Sequence, residues 1–388
     1  MLVFVLIFGL FAVYVNSQDP EACVHHGNGQ SGKCLPVEKC PSAKRDERFH
    51  IKKQFCSTNG TSDIKRVCCL DEEEYGTDLI KFIDSDEECM NLKVLNREPK
   101  VPSQGRKALE KCLLYQRTVI KCNATSVKTP CYFEPEIHTV GGGGVNAFEG
   151  EFPHMALLGY GKIFSETEFN CGGSLISDRF VLTAGHCTRA LNVGNVTIAV
   201  FGLLSLKQTP SKRNIYGVKN IIKHPMYKPP KKYHDIALLE MDRLVTLDKF
   251  VVPACLHVGD LVDDSRAYAT GWGYLGYNQD RAAVLQNIPL WKVPHDTCSL
   301  KFSPYKRHLP DGIVDASQMC YGDDGTPRDT CQGDSGGPIQ IKSKNIYCMY
   351  IILGVTSFGY TTCATVGYPG VYTRVSNYVP WIESIVWP

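Results

Sequence analysis

The sequence predicts an all-β protein that is preceded by a small disulfide-rich module. After residue 139, short runs rich in β-branched and aromatic residues alternate with Gly and Pro, as in 179–183, 196–201 and 351–357. Strands of this length and spacing are typical of all-β folds. The second observation is that six of the eighteen cysteines fall within residues 23–69, a density that is typical of cross-linked modules.

Composition indicates folded units rather than a disordered chain. The 388 residues are 43% hydrophobic and 21% charged, which suits one large domain or two to three smaller ones. With 42 Lys and Arg against 40 Asp and Glu, the net charge is +2. This balance provides no argument for nucleic-acid binding, and no nucleic-acid partner is expected.

The first residues have the pattern of a signal peptide. Residues 2–15 are almost wholly apolar but too few to span a membrane comfortably, and Ser17 is a small residue of the kind found at a signal cleavage site. We therefore expect a signal peptide at 1–17 and a secreted chain. The alternative is an uncleaved signal anchor. No later segment is long and apolar enough to span a bilayer, so we expect no membrane association of the mature protein.

The amino-terminal module needs cross-links because it is too short to bury much apolar surface. A zinc site would also use cysteines, but Cys-x2-Cys pairs are absent and the expected compartment is oxidising. Six cysteines allow fifteen pairings, so spacing alone leaves the connectivity open. These cysteines are Cys23, Cys34, Cys40, Cys56, Cys68 and Cys69.

A linker or propeptide is expected over residues 70–138. It begins with acidic runs at 71–74 and 84–88 and continues with a Lys- and Arg-rich stretch at 106–121. The segment is either a solvated spacer or a docking element. Four cysteines, Cys89, Cys112, Cys122 and Cys131, indicate that it is covalently tied down.

Residues 329–338, with the sequence DTCQGDSGGP, contain the pattern of an acyl-transfer site. Ser335 follows Gly333 by two residues, so two backbone N–H groups can converge on an oxyanion. A hydroxyl needs a base to take its proton, and the base needs a carboxylate to orient it. His186, in LTAGHC, and Asp235, in YHDIALL, provide both. The order His, Asp, Ser is the one in the chymotrypsin template.

These motifs, in this order, resemble the trypsin/chymotrypsin family of serine proteases across residues 139–388. The matching segments are 140–142, 171–176, 182–187, 235–238, 271–273, 329–338, 357–359 and 369–374. The resemblance implies two packed six-stranded antiparallel barrels with the active site between them, and a closing amphipathic helix within 378–387.

The six amino-terminal cysteines resemble the clip domain of arthropod clip-domain serine proteases, which implies a clip domain at 23–69. Within this domain the resemblance implies the bonds Cys23–Cys68, Cys34–Cys56 and Cys40–Cys69. In the protease domain it implies Cys171–Cys187, Cys298–Cys320 and Cys331–Cys363. It also implies a bond between Cys131 and Cys255, which would hold the two parts together after cleavage. Cys89, Cys112, Cys122 and Cys348 stay unassigned.

The resemblance further implies a zymogen whose new amino terminus pairs with the carboxylate before the nucleophile, here Asp334. The suitable start is Thr139, which predicts cleavage after His138. Most relatives have Arg or Lys before the cut and Ile after it. His138 therefore indicates an activator that is not trypsin-like, as in the subgroup resembling the fruit-fly proteases Snake and Persephone. Thr139 buries less apolar surface than Ile, so we expect less complete activation.

Substrate specificity is expected to come from Asp329, six residues before Ser335. In the trypsin-like subclass this residue lies at the bottom of the S1 pocket, and Gly359 and Gly370 match the positions that stay small. A buried carboxylate there selects Arg or Lys. The alternative is an ordinary turn or helix-capping Asp. Phe358 replaces the usual Trp beside the pocket.

Two further segments bear on binding. Residues 200–222 contain no acidic residue, so no calcium loop, and no metal or cofactor, is expected. The run KPPKK at 228–232, just before Asp235, is either an exosite for acidic substrates or a solvated loop.

The sequence thus predicts a secreted serine endopeptidase zymogen that cleaves after Arg or Lys in an extracellular, haemolymph-like fluid. The family implies a cascade in immunity, melanisation or clotting, with a downstream zymogen as substrate, an upstream activating protease and a serpin inhibitor as partners. Alternatives are a venom or digestive protease and a non-catalytic homologue that acts as a cofactor. Candidate glycosylation sites are Asn59, Asn123 and Asn195.

Overall fold

The computed structural model describes residues 105–119 and 144–388, apart from short gaps at 162–165, 260–261, 277, 345, 347, 361–362 and 364. For Arg117 and for residues 22–24, 31–36 and 66–70 only the backbone is described. The chain divides into two compact units, residues 1–87 and 88–388. No helix among the described residues has the length and apolar character needed to cross a membrane.

The amino-terminal unit contains a three-stranded antiparallel sheet. Its strands are β1 (Ala22–Val24), β2 (Ser31–Pro36) and β3 (Arg66–Leu70), in the order β1-β2-β3. In the register of β2 and β3, Cys34 lies opposite Cys68, and Lys33 lies opposite Cys69. The three disulfides predicted for this module involve side chains outside the described residues, so they stay predictions.

The first barrel of the larger unit is a closed ring of six antiparallel strands. The ring closes because β9 pairs with both β5 and β10. Its strands are β5 (Met155–Tyr160), β6 (Glu168–Leu175), β7 (Phe180–Thr183), β9 (Gly194–Phe201), β10 (Ile215–Lys223) and β11 (Ala237–Met241), and the short β8 (Arg189–Ala190) pairs with β9.

The second barrel has the same construction and closes where β17 pairs with β18. Two short strands are added to it: β4 (Val145–Asn146) beside β14, and β12 (Cys255–Leu256), which runs parallel to β17. The ring strands are β13 (Arg266–Gly271), β14 (Gln286–Val293), β15 (Gln318–Gly322), β16 (Pro338–Lys342), β17 (Tyr350–Phe358) and β18 (Gly370–Arg374). The predicted all-β fold of two six-stranded barrels is therefore confirmed.

Apolar packing joins the two barrels. Met155 and Leu157 of β5 and Val200 of β9 form one buried cluster with Trp272 and Tyr350, which come from the second half of the unit. Burial of such side chains stabilises by about 1.5–3 kcal/mol each. This shared core holds the two barrels, which carry the predicted catalytic residues, in a fixed relative position.

The described residues of this unit form three α-helices: α1 (Arg106–Tyr115), α2 (His295–Phe302) and the predicted closing helix, α3 (Val379–Val386). In α1 the residues Ala108, Cys112 and Tyr115 are buried on one face, as expected for positions i, i+4 and i+7. The Glu383 carboxylate of α3 accepts hydrogen bonds from the amides of Gly105 and Ala108, at 3.2 and 2.8 Å. This carboxylate satisfies free amides at the start of α1.

The disulfide from Cys255 differs from the expected one. Cys255 bonds Cys112 and not Cys131, so the expected Cys131–Cys255 bond is wrong. The reason is that α1 packs on the second barrel through Cys112 and Tyr115 and brings Cys112 against β12. The covalent link to this barrel therefore starts well before the region of the predicted cleavage. Cys348 is also disulfide-bonded, and no described cysteine is free.

Replacing Glu383 by alanine is expected to loosen the start of α1. Loss of a carboxylate that caps a helix costs about 1 kcal/mol, or about fivefold in a local opening equilibrium. In Glu383→Ala, amide hydrogen exchange over residues 105–115 should become faster by about that factor. The matched control is Glu110→Ala, which removes an exposed carboxylate from α1 itself. Unchanged exchange in Glu383→Ala would contradict this capping role.

Candidate active site

His186 and Asp235 form a tight pair. His186 begins a short 3₁₀ turn (His186–Thr188) after β7, and Asp235 lies just before β11. His186 Nδ1 lies 2.8 Å from Asp235 Oδ2, and the His186 amide donates to Asp235 Oδ1 at 2.9 Å. Both carboxylate oxygens therefore orient the histidine, which leaves its Nε2 as the nitrogen that can accept a proton.

Two residues of the second barrel also bind Asp235, although no sequence motif identified their roles. Ser357 Oγ of β17 donates to Asp235 Oδ2 at 2.5 Å, and Thr373 Oγ1 of β18 donates to the Asp235 carbonyl at 2.9 Å. Ser357 and Thr373 lay inside matched segments, but only the folded chain brings them to Asp235. The catalytic pair of the first barrel is thus tied to the second.

Asp235 is fully buried yet ionised. Burial by itself would raise the pKa of its carboxyl, but the charge of His186 and the hydrogen bonds from His186 and Ser357 outweigh burial and lower the pKa below its ordinary value. An ionised carboxylate at this position favours the protonated state of His186 during proton transfer.

Ser335 lies on a tight turn before β16. Gly172 of β6 donates its amide hydrogen to the Ser335 carbonyl at 2.8 Å. The next residue, Gly336, has φ +76°, and a Cβ there would lie 2.6 Å from the Gly172 carbonyl and 3.1 Å from Cys187 Sγ. Only glycine fits this position, and the close approach brings Ser335 alongside the segment that contains His186.

In the described part of the chain, the Ser335 hydroxyl makes no hydrogen bond to His186. His186 Nε2 lies 3.6 Å from Cys187 Sγ. Catalytic hydrogen bonds often shorten only when substrate is bound, so this arrangement is compatible with the predicted roles of both residues.

The amides of Gly333 and Ser335 have no hydrogen-bond acceptor among the described residues, whereas the Asp334 amide between them donates to Cys331 O at 3.0 Å. Gly333 has φ +100°, a backbone conformation that favours glycine. The two unpaired donors match the predicted oxyanion site.

Asp334 points away from this site into the protein. Its carboxylate is buried and accepts hydrogen bonds from the amides of Gly273 at 2.7 Å and Cys331 at 2.9 Å. A Cβ on Gly273 would lie 2.5 Å from the carboxylate, which explains a glycine of the GWG motif. Burial raises the pKa of Asp334 to about 6, although the two amides and Arg281 oppose the rise.

Arg281 is a residue of this region that the motifs did not reveal. Its Nε donates to the Trp272 carbonyl at 2.7 Å, and Nη1 donates to the Phe169 carbonyl. The guanidinium packs against Gly333, where a Cβ would lie 3.4 Å from Nη2. Nη2 is buried and has no hydrogen-bond partner among the described residues. Arg281 therefore supports the backbone of Gly333 and contributes positive charge near Asp334.

Asp329 is buried beside two glycines. Its carboxylate accepts a hydrogen bond from the Thr330 amide at 2.7 Å. A Cβ on Gly370 would lie 2.8 Å from Oδ1, and a Cβ on Gly359 would lie 3.4 Å from Oδ2. Burial raises the pKa of Asp329 to about 8, and the charge of Asp334 adds to the rise. Among the described residues, no cation pairs with this carboxylate.

Three disulfides that the resemblance implies are present in the described unit: Cys171–Cys187, Cys298–Cys320 and Cys331–Cys363. Cys171, His186 and Cys187 also form a cluster with the spacing of metal ligands. The two sulfurs are bonded to each other, so they are not the thiolates that a metal would need.

Of the remaining predicted residues, one is described and four are not. Asn195 lies on β9 and is exposed, as a glycan acceptor must be. His138, Thr139, Asn59 and Asn123 lie outside the described residues.

Comparisons with known proteins agree with this geometry. The Trypsin family pattern matches residues 142–382. The chain is 30% identical over 367 residues to Serine protease snk of Drosophila melanogaster, covering 94% of this chain and 78% of that protein. It is 32% identical over 398 residues to CLIP domain-containing serine protease B10 of Anopheles gambiae, covering 94% and 93%.

A further relative is the Spaetzle-processing enzyme of Drosophila melanogaster, which is 37% identical over 272 residues, covering 63% of this chain and 66% of that protein. The similarity to snk and to the Anopheles protease extends over nearly the whole chain, beyond the part that matches the Trypsin pattern. The chain therefore belongs to the trypsin family of serine proteases and, within it, to the clip-domain serine proteases.

Proposed function

We propose that this chain is the secreted zymogen of an endopeptidase that cleaves proteins after Arg or Lys. The observation that carries the proposal is the Asp329 carboxylate, which is buried beside Gly359 and Gly370, has no cationic partner among the described residues, and belongs to the segment that holds Ser335. A long cationic side chain fits this pocket because its charge would pair with the carboxylate.

In the proposed reaction, Ser335 Oγ attacks the carbonyl carbon of the scissile bond while its proton moves to His186 Nε2. The oxygen that becomes negative accepts hydrogen bonds from the Gly333 and Ser335 amides. Asp235 stabilises the charged histidine and keeps a proton on Nδ1. His186 then protonates the leaving amine. A water molecule releases the acyl group by the reverse sequence and returns the proton to Ser335.

Activation is proposed to follow cleavage after His138, with the new Thr139 ammonium pairing with Asp334. Support comes from the state of Asp334, whose burial raises its pKa to about 6. An arriving cation would relieve the cost of keeping this carboxylate ionised. The pair would hold Gly333 and Ser335 in their oxyanion-binding arrangement.

A role in an extracellular cascade is proposed from the relatives. One of them is named for the processing of Spaetzle, and others are named as clip-domain proteases. We infer a protein substrate, such as another protease zymogen, and an activating protease that accepts His138. The presence of His186, Asp235 and Ser335 argues against a non-catalytic cofactor.

The primary test uses a chain in which residues 134–138 are replaced by four aspartates and a lysine, so that enteropeptidase releases Thr139. After this cut we expect cleavage of an Arg-containing peptide and little cleavage of its Phe counterpart. Ser335→Ala should lower the rate roughly 10⁴-fold or more. No Arg cleavage by the cut chain, or equal activity in Ser335→Ala, would overturn the proposal.

Asp329→Ser is expected to remove the preference for basic residues. The ratio of kcat/KM for Arg over Phe peptides should fall by about 10⁴-fold, because the substrate cation loses its buried partner. The matched control is Asp324→Ser, which removes a nearby exposed carboxylate. Covalent labelling of Ser335 checks that the catalytic groups are intact. An unchanged ratio in Asp329→Ser would contradict the pocket assignment.

Binding of a cation in this pocket is expected to release a proton. Because burial raises the pKa of Asp329 to about 8, its carboxyl group is mostly protonated at pH 7 when no ligand is bound. An amidinium ligand binds the ionised carboxylate. The affinity of the cut Ser335→Ala chain for benzamidine should therefore rise with pH up to about 8 and level off above it.

Calorimetry in buffers of different ionisation enthalpy measures this proton release. Adding His186→Ala should leave it unchanged, which separates Asp329 from His186 as the source. Affinity that is independent of pH between 6 and 8 would refute the raised pKa.

A further inference from the structure

Two neighbouring segments carry a concentration of positive charge. They span residues 228–232 and 301–308, the second being the end of α2 and the loop after it, and these thirteen residues contain no Asp or Glu. The chain as a whole has a net charge of only +2, so the excess is local. We call it the basic surface; its cations are Lys228, Lys231, Lys232, Lys301, Lys306 and Arg307.

Hydrogen bonds hold the two segments together. The Lys232 amide donates to the His308 carbonyl at 3.0 Å, and His308 Nδ1 lies 2.9 Å from the Pro230 carbonyl oxygen. Gln318 Nε2 of β15 donates to the Lys232 carbonyl at 3.1 Å. The backbones that carry the cations are therefore fixed relative to each other and to the second barrel, unlike those of a freely solvated loop.

The cations of the basic surface have no acidic partners. Among the described residues, none of the six takes part in an ion pair, whereas cations elsewhere do, such as Lys292 with Asp264 and Arg374 with Asp315. Lys231 and Lys232 are consecutive, and His308, which follows Arg307, contacts the backbone of Pro230 and Lys232, so the backbones that carry these charges lie close together. Binding of an external anion would therefore reduce the repulsion between these cations.

The basic surface borders the proposed pocket. Lys232 Nζ lies 5.7 Å from the ring centroid of Phe358. Phe358 is flanked by Ser357, which binds Asp235, and by Gly359, which faces the Asp329 carboxylate. Phe302 of α2 packs on the same ring, with centroids 5.6 Å apart, and Lys301 precedes it. A substrate that fills the pocket must pass close to these cations.

The position of the basic surface identifies the part of the substrate that it can reach. The pocket receives the residue before the scissile bond, and Phe358 adjoins the pocket wall at Gly359. Cys187 contacts the turn that carries the nucleophile, 3.1 Å from where a Gly336 Cβ would be. In the proposed function, residues before the bond would leave the pocket along Phe358 and Lys232, and residues after it would lie toward Cys187.

From this placement we infer that the basic surface selects substrates with Asp or Glu in the few residues that precede the scissile Arg or Lys. The inference rests on the proposed function and adds the chemistry of its substrate. Carboxylates there would pair with Lys231, Lys232 and Arg307, and would speed association at low ionic strength. The substrate is thus a protein whose cleavage site joins an acidic segment to one basic residue.

The test compares matched Arg peptides with the enteropeptidase-cut chain. One peptide has two Asp residues before the Arg, the second has Asn in their place, and the third has the Asp residues after the cleaved bond. We expect kcat/KM for the first to exceed that for the second about five- to tenfold, and the ratio to shrink as salt is added. For the third peptide, kcat/KM should equal that for the second.

Variants test whether the basic surface causes the effect. The readout is the ratio of kcat/KM for the Asp peptide to kcat/KM for the Asn peptide, because this ratio does not depend on how much enzyme is folded. In Lys231→Gln/Lys232→Gln/Arg307→Gln the ratio should fall to about one. The charge-matched control Lys207→Gln/Lys212→Gln/Lys223→Gln should keep it. In Lys231→Glu/Lys232→Glu/Arg307→Glu it should fall below one, in favour of the amide peptide.

Failure of this inference can be told apart from failure of the proposed function. If the cut chain cleaves the amide peptide after Arg as fast as the acidic one, the selectivity inference is wrong and the protease proposal stands. A ratio that survives in the Gln variant, or a gain confined to acids after the bond, also overturns the inference. If no Arg peptide is cleaved, the proposed function itself fails.

Discussion

Asp235 can stay ionised while fully buried because groups from both barrels hydrogen-bond to it. The His186 ring and amide belong to the first barrel, and the Ser357 hydroxyl belongs to the second. A buried carboxylate without such partners would cost several kcal/mol or take up a proton. The relative position of the barrels and the orientation of His186 are therefore linked through one side chain, and the shared apolar core at Trp272 and Tyr350 holds that position.

For the other two carboxylates of the site, the pKa is shifted in the opposite direction. Asp329 and Asp334 are buried, accept backbone hydrogen bonds, and have pKa values raised to about 8 and about 6. In the proposed function each meets a cation that the folded chain does not supply by itself: the substrate side chain for Asp329 and the Thr139 ammonium for Asp334. Specificity and activation then depend on the same physical interaction, in which a buried carboxylate pairs with an incoming cation.

Positive charge near these carboxylates has two sources. Arg281 lies against Gly333 and favours the ionised form of Asp334 from within the fold, whereas the basic surface lies outside, beside Phe358. The helix α1 adds a covalent link, because Cys112 ties the segment before the predicted cleavage to β12. In the proposed activation, that segment would stay attached to the protease unit after the cut.

The sequence by itself determined the all-β fold, the candidate triad and the two acidic residues of the Ser335 segment. Short motifs carry these features, because a tight turn such as Gly333–Gly336 depends on residues that are adjacent in the chain. Only the tertiary structure decided that Cys112 bonds Cys255, that Ser357 and Arg281 support the site, and that the 228–232 segment meets the 301–308 segment. These contacts join residues far apart in sequence, and they depend on how strands and helices pack rather than on any local pattern.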